Sequence, residues 1–249
     1  MSGTVHVRQA APGVVKLEID NPPMNPLGAD LCAMLAETLA RIDTDLSVRA
    51  VLLTGRGPAF CAGADLKSGG ERGAGASFGV AIAAVAGSRA PVVAAINGYC
   101  MGGGLELALS CDIRIAATTA RFVAAGVNMG LMASAYRLPR LIGVSRAKAM
   151  LLTGEPHDAQ IAERWGLVTA LHPPEALQDA ALCLAARIAS RAPLSVEAVK
   201  TFAERAPDLS PDDAAAMERN VIGNLRATED HREAVAAFRE KRPPEFTRR

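Results

Sequence analysis

The sequence predicts an α/β fold followed by a helical C-terminal region, and three features of the chain support this prediction. In residues 4–124, apolar or alternating runs typical of strands are separated by amphipathic segments typical of helices. In residues 174–241, helical periodicity continues with no strand pattern in between. Hydrophobic residues make up 50% of the 249 positions, enough to bury a large core. We therefore expect a core of residues 1–192 and a helical region of residues 193–249.

Strand patterns begin near the N-terminus. Alternation of apolar and polar residues predicts a hairpin of Thr4–Gln9 and Gly13–Asp20. The following Asn21–Pro26 carries prolines that cannot donate to a ladder, which predicts an irregular turn. The remaining predicted strands are Val48–Thr54, Val92–Ile96, Asp112–Ala117 and Arg121–Ala124.

Helices are predicted wherever apolar residues recur at a spacing of three and four. These segments are Leu27–Ile42, Phe78–Ala86, Ser145–Leu152, Pro174–Ser190, Ser195–Ala206, Pro211–Ala227 and Thr228–Lys241. Between the first two, Lys67–Ala76 is rich in glycine, serine and charged residues, which predicts a mobile loop.

Composition excludes several classes of function. The net charge of +1 gives no sign of a nucleic-acid-binding surface. The most apolar window, Pro91–Cys111, is interrupted by Asn97, glycines and Glu106, so we expect no membrane span and no membrane partner.

The 5 cysteines include no Cys-x-x-Cys pair, which is typical of free thiols in a reducing compartment. We expect a cytoplasmic protein without a signal peptide, and surface positions rather than metal sites for the histidines, His6, His157, His172 and His231.

The stretch Gly98–Asp112 places Glu106 directly after a glycine triplet and Leu105, inside an apolar run. Consecutive glycines that lead into a helix permit close approach of the backbone and leave free amides for an anion or an oxyanion. Glu106 then either complements the positive end of the helix dipole or serves as a buried acid or base. The sequence lacks the glycine motifs of dinucleotide-binding folds, P-loops and α/β-hydrolases.

A second motif gives this stretch a context. Phe60-Cys-Ala-Gly-Ala-Asp-Leu66, followed by Ala95–Asp112, resembles the enoyl-CoA hydratase/isomerase family, the crotonase superfamily. The similarity extends along nearly the whole chain. Further matching segments are Asn21–Asn25, Met150–Gly154, Trp165–Val168 and Ala237–Pro243. The resemblance implies a crotonase-like ββα spiral core with a C-terminal helical oligomerisation region.

The resemblance also implies roles for particular residues. The amides of Ala64 and Gly103 match the two donors that hold the thioester carbonyl oxygen of an acyl-CoA. Fixed donors at that position stabilise the enolate formed during reaction. Glu106 matches the first of the two catalytic glutamates of family hydratases, where it moves a proton.

The sequence departs from the family pattern at the second catalytic glutamate, whose position is Gly126. The segment between Gly130 and Arg137 is also shorter than in family hydratases. Asn128, Ser134 and Tyr136 are candidates to orient water or a substrate group, although none is a comparable base near neutral pH. As residue types they more often cap or line a loop.

Coenzyme A thioester is implied as the substrate, with no separate cofactor and no metal. The implied substrate-binding residues are Asn25, Ala62, Asp65, Leu66, Lys67, Gly102, Gly126, Tyr136, Phe238 and Lys241. Arg56 is a further candidate for phosphate contacts, with a solvated charge as the alternative. In the family, the C-terminal helices pack at the contacts of a homotrimer or a dimer of trimers.

The function predicted by this set is that of an acyl-CoA enzyme that stabilises a thioester enolate in an oxyanion hole. The simplest such reaction is the hydration of a 2-enoyl-CoA. One acid can also move a proton between carbons, so isomerisation, decarboxylation or cleavage through the same enolate remain alternatives. Because Gly126 replaces an acid, a non-catalytic acyl-CoA-binding protein is a further alternative.

Overall fold

The computed structural model describes residues 3–65 and 74–249 of the chain. The predicted site residues Leu66 and Lys67, and most of the predicted loop Lys67–Ala76, lie outside these ranges. The end of that loop is a correction, because a helix already begins at Ala74.

The strands of the described residues are short and lie mainly in the first two thirds of the chain. They are β1 Thr4–Ala11, β2 Val14–Asp20, β3 Pro26–Leu27, β4 Ala50–Gly55, β5 Ala59–Cys61, β6 Gly63–Ala64, β7 Val92–Ile96, β8 Tyr99–Met101, β9 Ile113–Ala117, β10 Arg121–Val123, β11 Pro156–Asp158 and β12 Leu171–His172.

The helices alternate with these strands and then continue alone to the C-terminus. They are α1 Ala29–Thr44, α2 Ala74–Gly87, α3 Gly103–Leu109, α4 Arg137–Ile142, α5 Val144–Thr153, α6 Ala159–Trp165, α7 Leu177–Ala189, α8 Pro193–Arg205, α9 Pro211–Arg226 and α10 Glu229–Glu240. Single 3₁₀ turns occupy Val127–Met129 and Ala206–Asp208.

The strands form a six-stranded, a four-stranded and a two-stranded sheet. In the largest, with order β1-β2-β4-β7-β9-β12, the β1–β2 hairpin is antiparallel and every other pair is parallel. The second sheet, β11-β10-β8-β5, is parallel except at β11. The predicted α/β class with mostly parallel pairing is confirmed, and it follows from continuously apolar strands such as β4 and β7, which are buried along their whole length.

Both faces of the six-stranded sheet are covered. Successive side chains of a strand point to opposite faces, so Leu53 joins a core cluster under α1, α2 and α3, whereas Leu52 joins a second cluster under α7. The α7 helix presents Ala181, Ala185 and Ala189 to this second face. Small residues one turn apart allow the helix to approach the sheet closely.

Several elements differ from the sequence predictions. Pro26 lies in the short strand β3, and a proline is tolerated there because it is the first residue of an edge strand. The first helix begins at Ala29 rather than Leu27. His157 and His172 lie in β11 and β12, two short strands that the sequence did not predict. Two- and three-residue strands are too short to show any periodicity, so the sequence could not reveal them.

Hydrogen bonds and ion pairs connect the C-terminal helices and the last residues of the chain to the core. Arg49 Nη2 donates to the Phe246 carbonyl oxygen at 2.7 Å. Glu197 of α8 accepts from Arg89 at 2.8 Å and also pairs with Arg248. In contrast, α9 contributes no buried residue to the described part of the chain.

The described residues contain neither a membrane-spanning helix nor a cluster of metal ligands. No helix in these ranges has both the length and the hydrophobicity that crossing a membrane requires. Within the same ranges, no three His, Cys, Asp or Glu side chains are grouped as metal ligands would be. The cytoplasmic location stays a prediction.

Candidate active site

The glycine triplet forms the sharp entry into α3. Gly102 adopts φ +52°, a left-handed conformation that favours glycine, and its N–H donates to the Val123 carbonyl oxygen at 2.9 Å. A methyl group at Gly104 would lie 2.0 Å from the Cys61 carbonyl oxygen. A methyl group at Gly103 would lie 2.6 Å from the ring of Phe78. The triplet therefore brings the start of α3 against β5 and α2 more closely than any larger residue permits.

The two predicted oxyanion donors lie on segments that touch. A methyl group at Gly63 would lie 2.8 Å from the Gly103 nitrogen. The Asp65 N–H donates to Leu27 at 2.9 Å, so the preceding amide, that of Ala64, points away from β3 by strand alternation. Gly103 is the first residue of α3, and the first N–H groups of a helix have no partner within it. Both amides are available to an acceptor.

Two buried thiols on β5 and β8 form hydrogen bonds with the glycine segments of the candidate site. Cys61 and Cys100 are paired across β5 and β8. Cys61 Sγ accepts from the Gly63 N–H at 3.3 Å, and Cys100 Sγ donates to the Gly104 carbonyl oxygen at 3.4 Å. Burial raises the pKa of Cys61 to about 12, so it remains a thiol at neutral pH. The hydrogen bonds of these thiols stabilise the segments that contain Gly63 and Gly104, so the role of Cys61 and Cys100 is structural.

Glu106 lies in the first turn of α3 with its side chain 23% exposed. Its Oε1 is 3.5 Å from Nε of Arg137, the first residue of α4. Its Oε2 is buried and has no hydrogen-bond partner among the described residues. A buried carboxylate oxygen without a partner is costly, and a simple complement to the helix dipole does not require one.

Arg137 is a site residue that sequence reasoning missed. Besides Glu106, its Nη1 lies 3.6 Å from Glu204 Oε1 on α8. Arg137 also lines a cavity of about 1210 Å³ between the core and α8, together with Tyr136, Arg140 and Lys200. Its position at the start of Arg137-Leu-Pro-Arg, a segment that follows the family pattern, was the signal available in the sequence.

The segment after Gly126 folds back onto that residue. The Leu131 N–H donates to the Gly126 carbonyl oxygen at 2.8 Å. A methyl group at Gly126 would lie 2.9 Å from the Leu131 carbonyl oxygen and 3.0 Å from the Ala133 nitrogen. Main-chain atoms of the shortened segment therefore fill the space that a glutamate at this position would need.

The three polar candidates near Gly126 differ in their surroundings. Asn128 Nδ2 donates to the Gly154 carbonyl oxygen at 2.9 Å and so closes a loop. Tyr136 is 64% exposed, with the Arg140 guanidinium 5.1 Å from its ring centre. Ser134 is 7% exposed, and its Oγ has no hydrogen-bond partner in the described ranges.

Asn25 shapes the turn before β3. It is 1% exposed at φ +54°, and its Nδ2 donates to the carbonyl oxygens of Arg56 and Ala59 at 2.9 Å and 2.7 Å. Its Oδ1 accepts from the Asn21 N–H at 2.9 Å. The side chain is fully used within the loop, so any contact with a ligand would come from its main chain.

The other predicted binding residues are spread over the molecule. The Ala62 N–H donates to Met24 at 2.9 Å, and Asp65 follows Ala64 at the end of β6. Arg56 forms an ion pair with Asp20 at 2.9 Å. Phe238 on α10 is 85% exposed, and Lys241 ends this helix.

Comparison with known proteins assigns the family. The family model described as "Enoyl-CoA hydratase/isomerase" matches residues 9–249. The chain belongs to the enoyl-CoA hydratase/isomerase family. It is 41% identical over 232 residues to (E)-benzylidenesuccinyl-CoA hydratase of Thauera aromatica, covering 90% of this chain and 91% of the relative. It is also 39% identical over 264 residues to a protein of Mycobacterium bovis named probable enoyl-CoA hydratase echA12, covering 98% of this chain and 92% of the relative.

Solved structures of the enoyl-CoA hydratase/isomerase family agree with this assignment. The crystal structure of an enoyl-CoA hydratase from Bacillus anthracis superposes with a TM-score of 0.94 at 35% identity, covering 98% of this chain and 99% of the other. The crotonase-like fold predicted from the motifs is confirmed, including the presence of the C-terminal helices. The protein is therefore an acyl-CoA enzyme of this family.

Proposed function

We propose that this protein hydrates a 2-enoyl-CoA, with Glu106 as its acid–base carboxylate. The observation that carries the proposal is Oε2 of Glu106, which is buried and has no partner in the described part of the chain, on the helix that begins with the Gly103 amide. The hydratase names of the relatives in Thauera aromatica and Mycobacterium bovis support addition of water over the other reactions of the family.

The chemistry requires one proton carrier and one oxyanion site. In this proposal, the amides of Ala64 and Gly103 hold the thioester oxygen while water attacks the β-carbon. The π electrons move to the thioester as an enolate, and Glu106 takes the proton that the water loses. Glu106 then returns a proton to the α-carbon, which restores both the thioester and the carboxylate. A single carboxylate suffices when water and the α-carbon lie on its side of the substrate.

Arg137 supports this role of Glu106. Arg137 Nε lies 3.5 Å from Oε1 and holds the carboxylate from one side, which leaves Oε2, without a partner among the described residues, for the reactants.

The test is turnover of a panel of 2-enoyl-CoA and 3-enoyl-CoA thioesters in deuterated water, followed by mass spectrometry. We expect a 2-enoyl-CoA to gain the mass of one water. Glu106→Gln keeps the size of the side chain but cannot carry the proton, so we expect kcat/KM to fall roughly 100-fold to 10,000-fold.

A matched control is Glu163→Gln, because Glu163 is an exposed carboxylate on α6 with no side-chain partner in the described part of the chain. It should leave turnover unchanged. Equal turnover of Glu106→Gln and the wild type would reject Glu106 as the proton carrier.

Double-bond isomerisation is the second candidate, and the occupied space at Gly126 favours it. Isomerisation needs one carboxylate to remove and return a proton, and no attacking water. Deuterium uptake from a 3-enoyl-CoA at constant elemental composition would identify this reaction instead of hydration.

The CoA-binding residues and the quaternary structure belong to the same proposal. Phe238 on α10 is exposed and α9 has no buried residue in the described chain, which supports packing of residues 193–249 against neighbouring subunits. We propose that Phe238 and Lys241 contact the CoA of an adjacent subunit in a homotrimer or a dimer of trimers. Light scattering gives the mass of the assembly, and Phe238→Ala should raise KM for the thioester more than it lowers kcat.

A further inference from the structure

We propose that the Ser134 hydroxyl is a catalytic group, which hydrogen-bonds the water that adds to the β-carbon and so replaces the missing second glutamate. This inference rests on the hydration proposed above. It concerns the shortened segment between Gly130 and Arg137, where this chain departs from the family pattern.

The first observation is the environment of the hydroxyl. Ser134 is 7% exposed and its Oγ is buried, yet no residue in the ranges 3–65 and 74–249 gives it a hydrogen bond. A serine hydroxyl can donate one hydrogen bond and accept others. Leaving it buried without a partner costs free energy, unless a ligand or water supplies the partner.

The second observation is the backbone of the same residue. Ser134 adopts φ +58°, a left-handed conformation that is uncommon for a residue other than glycine. Strained positions of this kind persist where the surrounding structure imposes them, and they are concentrated at functional sites. Glycine would adopt this conformation more readily and would remove the unpaired hydroxyl, so stability alone does not favour serine here.

The third observation is the position of Ser134 in the chain, between residues that contact two parts of the candidate site. On one side, the Ala133 nitrogen lies 3.0 Å from the position of a methyl group on Gly126, where family hydratases carry the second glutamate. On the other side, the Ser134 carbonyl oxygen accepts from the Leu138 N–H at 3.1 Å, which places Ser134 one turn before that residue of α4. Arg137, on the same turn, contacts Glu106.

The other polar candidates of this segment are already engaged or exposed. Asn128 is bonded to Gly154, and Tyr136 is open to solvent beside Arg140. Apart from Gln178 on α7, the unpartnered buried side-chain atoms of the described chain are Glu106 Oε2 and Ser134 Oγ.

In the reaction, Ser134 holds the water and does not carry its proton. The water oxygen forms the bond to the β-carbon, its proton goes to Glu106, and the α-carbon receives a proton from Glu106. Ser134 begins and ends as a neutral hydroxyl, so the step needs no second base. Its contribution is the orientation of the attacking oxygen.

The test compares Ser134→Ala, Ser134→Gly and the exposed control Ser145→Ala in three measurements. These are hydration of a 2-enoyl-CoA, the melting temperature, and exchange of the α-protons of butyryl-CoA with deuterated water. Exchange needs Glu106 and the oxyanion donors but no attacking water. We expect kcat/KM for hydration to fall roughly 10-fold to 100-fold in both Ser134 variants, with α-proton exchange retained.

Stability separates this role from a structural one. Ser134→Gly should melt at the same temperature as the wild type or higher, because it relieves the backbone and removes the unpaired hydroxyl. Hydration by both variants at the wild-type rate would overturn the assignment of Ser134. Equal loss of hydration and exchange would also overturn it, because Ser134 would then act on Glu106 and not on water. A wild-type protein that exchanges α-protons but hydrates no thioester would instead reject the proposed hydration, and the role of Ser134 with it.

Discussion

The two sides of the candidate site are built differently. On the oxyanion side, β5, β6 and the start of α3 pack so closely that methyl groups at Gly63 and Gly104 would collide with main-chain atoms. On the opposite side, the segment 127–136 leaves Leu131 and Met132 largely exposed, the latter by 87%, and holds Ser134 in a left-handed conformation.

This difference shows which side of the candidate site is constrained by packing of the core. The side of the proposed oxyanion donors is formed by contacts between main-chain atoms of core elements, so we expect a change there to affect both stability and the proposed thioester binding. The opposite side is a surface segment whose length and side chains can change at little cost to the core. The departure from the family pattern at Gly126 lies on this second side.

The largest expected effect comes from Gly104→Ala on the packed side. Its methyl group would lie 2.0 Å from the Cys61 carbonyl oxygen, so the main chain must move. We expect the free energy of unfolding to fall by more than about 3 kcal/mol, measured by denaturant titration. The control is Gly223→Ala on α9, where the new methyl group would have no described atom from outside its own helix backbone within 4 Å. This substitution should stabilise the helix by about 0.5–1 kcal/mol. Equal stability of the two variants would contradict the close packing described here.

Gly126→Glu tests whether the second side tolerates the carboxylate of family hydratases. The new Cβ would lie 2.9 Å from the Leu131 carbonyl oxygen, so the segment must shift. We expect a loss of roughly 1–3 kcal/mol in unfolding free energy and no gain in hydration rate. A faster hydration rate with unchanged stability would contradict the crowding at Gly126, because it would show that the main chain of Leu131 and Ala133 moves aside at no cost.

Glu197 tests how α8 is held against the core. Burial raises the pKa of its carboxyl, but hydrogen bonds from Arg248 and Arg89 outweigh burial, and the pKa lies below its ordinary value of 4.5. A lowered pKa in the folded state means that this contribution to stability is present above pH 4.5 and is lost as the pH falls through the folded-state pKa.

We therefore expect Glu197→Gln to cost about 1–2 kcal/mol at neutral pH, allowing for partial exposure. The difference from the wild type should shrink as the pH is lowered from 4.5 through the folded-state pKa. Urea titrations at several pH values measure this. A difference that is independent of pH would contradict the ion-pair origin.

The smallest expected effect concerns Arg137, which directly follows the segment 127–136 and joins it to α3 through Glu106. Arg137→Gln should lower kcat roughly 2-fold to 10-fold, because a partly exposed ion pair contributes about 0.5–1.5 kcal/mol. Arg137→Lys should recover part of the loss, and KM should change little in either variant. An unchanged kcat in Arg137→Gln would mean that Glu106 is positioned by α3 alone.

Much of the fold was predictable from local patterns. The hairpin at Thr4–Ala11 and Val14–Asp20, the buried strand Val92–Ile96 and the C-terminal helices have clear periodicity, and each lies within a few residues of its predicted bounds. The helix α10 is bounded by Thr228, whose hydroxyl caps its start, and by Lys241, so its predicted limits needed no tertiary information.

Other elements could not be predicted locally. The strands β5, β6 and β8 are two or three residues long, and each is stabilised by its neighbours in a sheet and not by its own sequence pattern. The same applies to Pro26, which the sequence excluded from any ladder and which the structure places at the start of β3.

The sequence by itself determined that Glu106 follows a glycine triplet, that Gly126 carries no carboxylate, and that the chain resembles a family which binds acyl-CoA. Only the tertiary structure decided that Arg137 pairs with one oxygen of Glu106 and that the other oxygen is buried without a hydrogen-bond partner in the ranges 3–65 and 74–249. It also decided that Leu131 and Ala133 occupy the space beside Gly126. The reason is physical: residue type fixes which groups can donate, accept or ionise, whereas burial and distance between segments far apart in the chain arise only when the core packs.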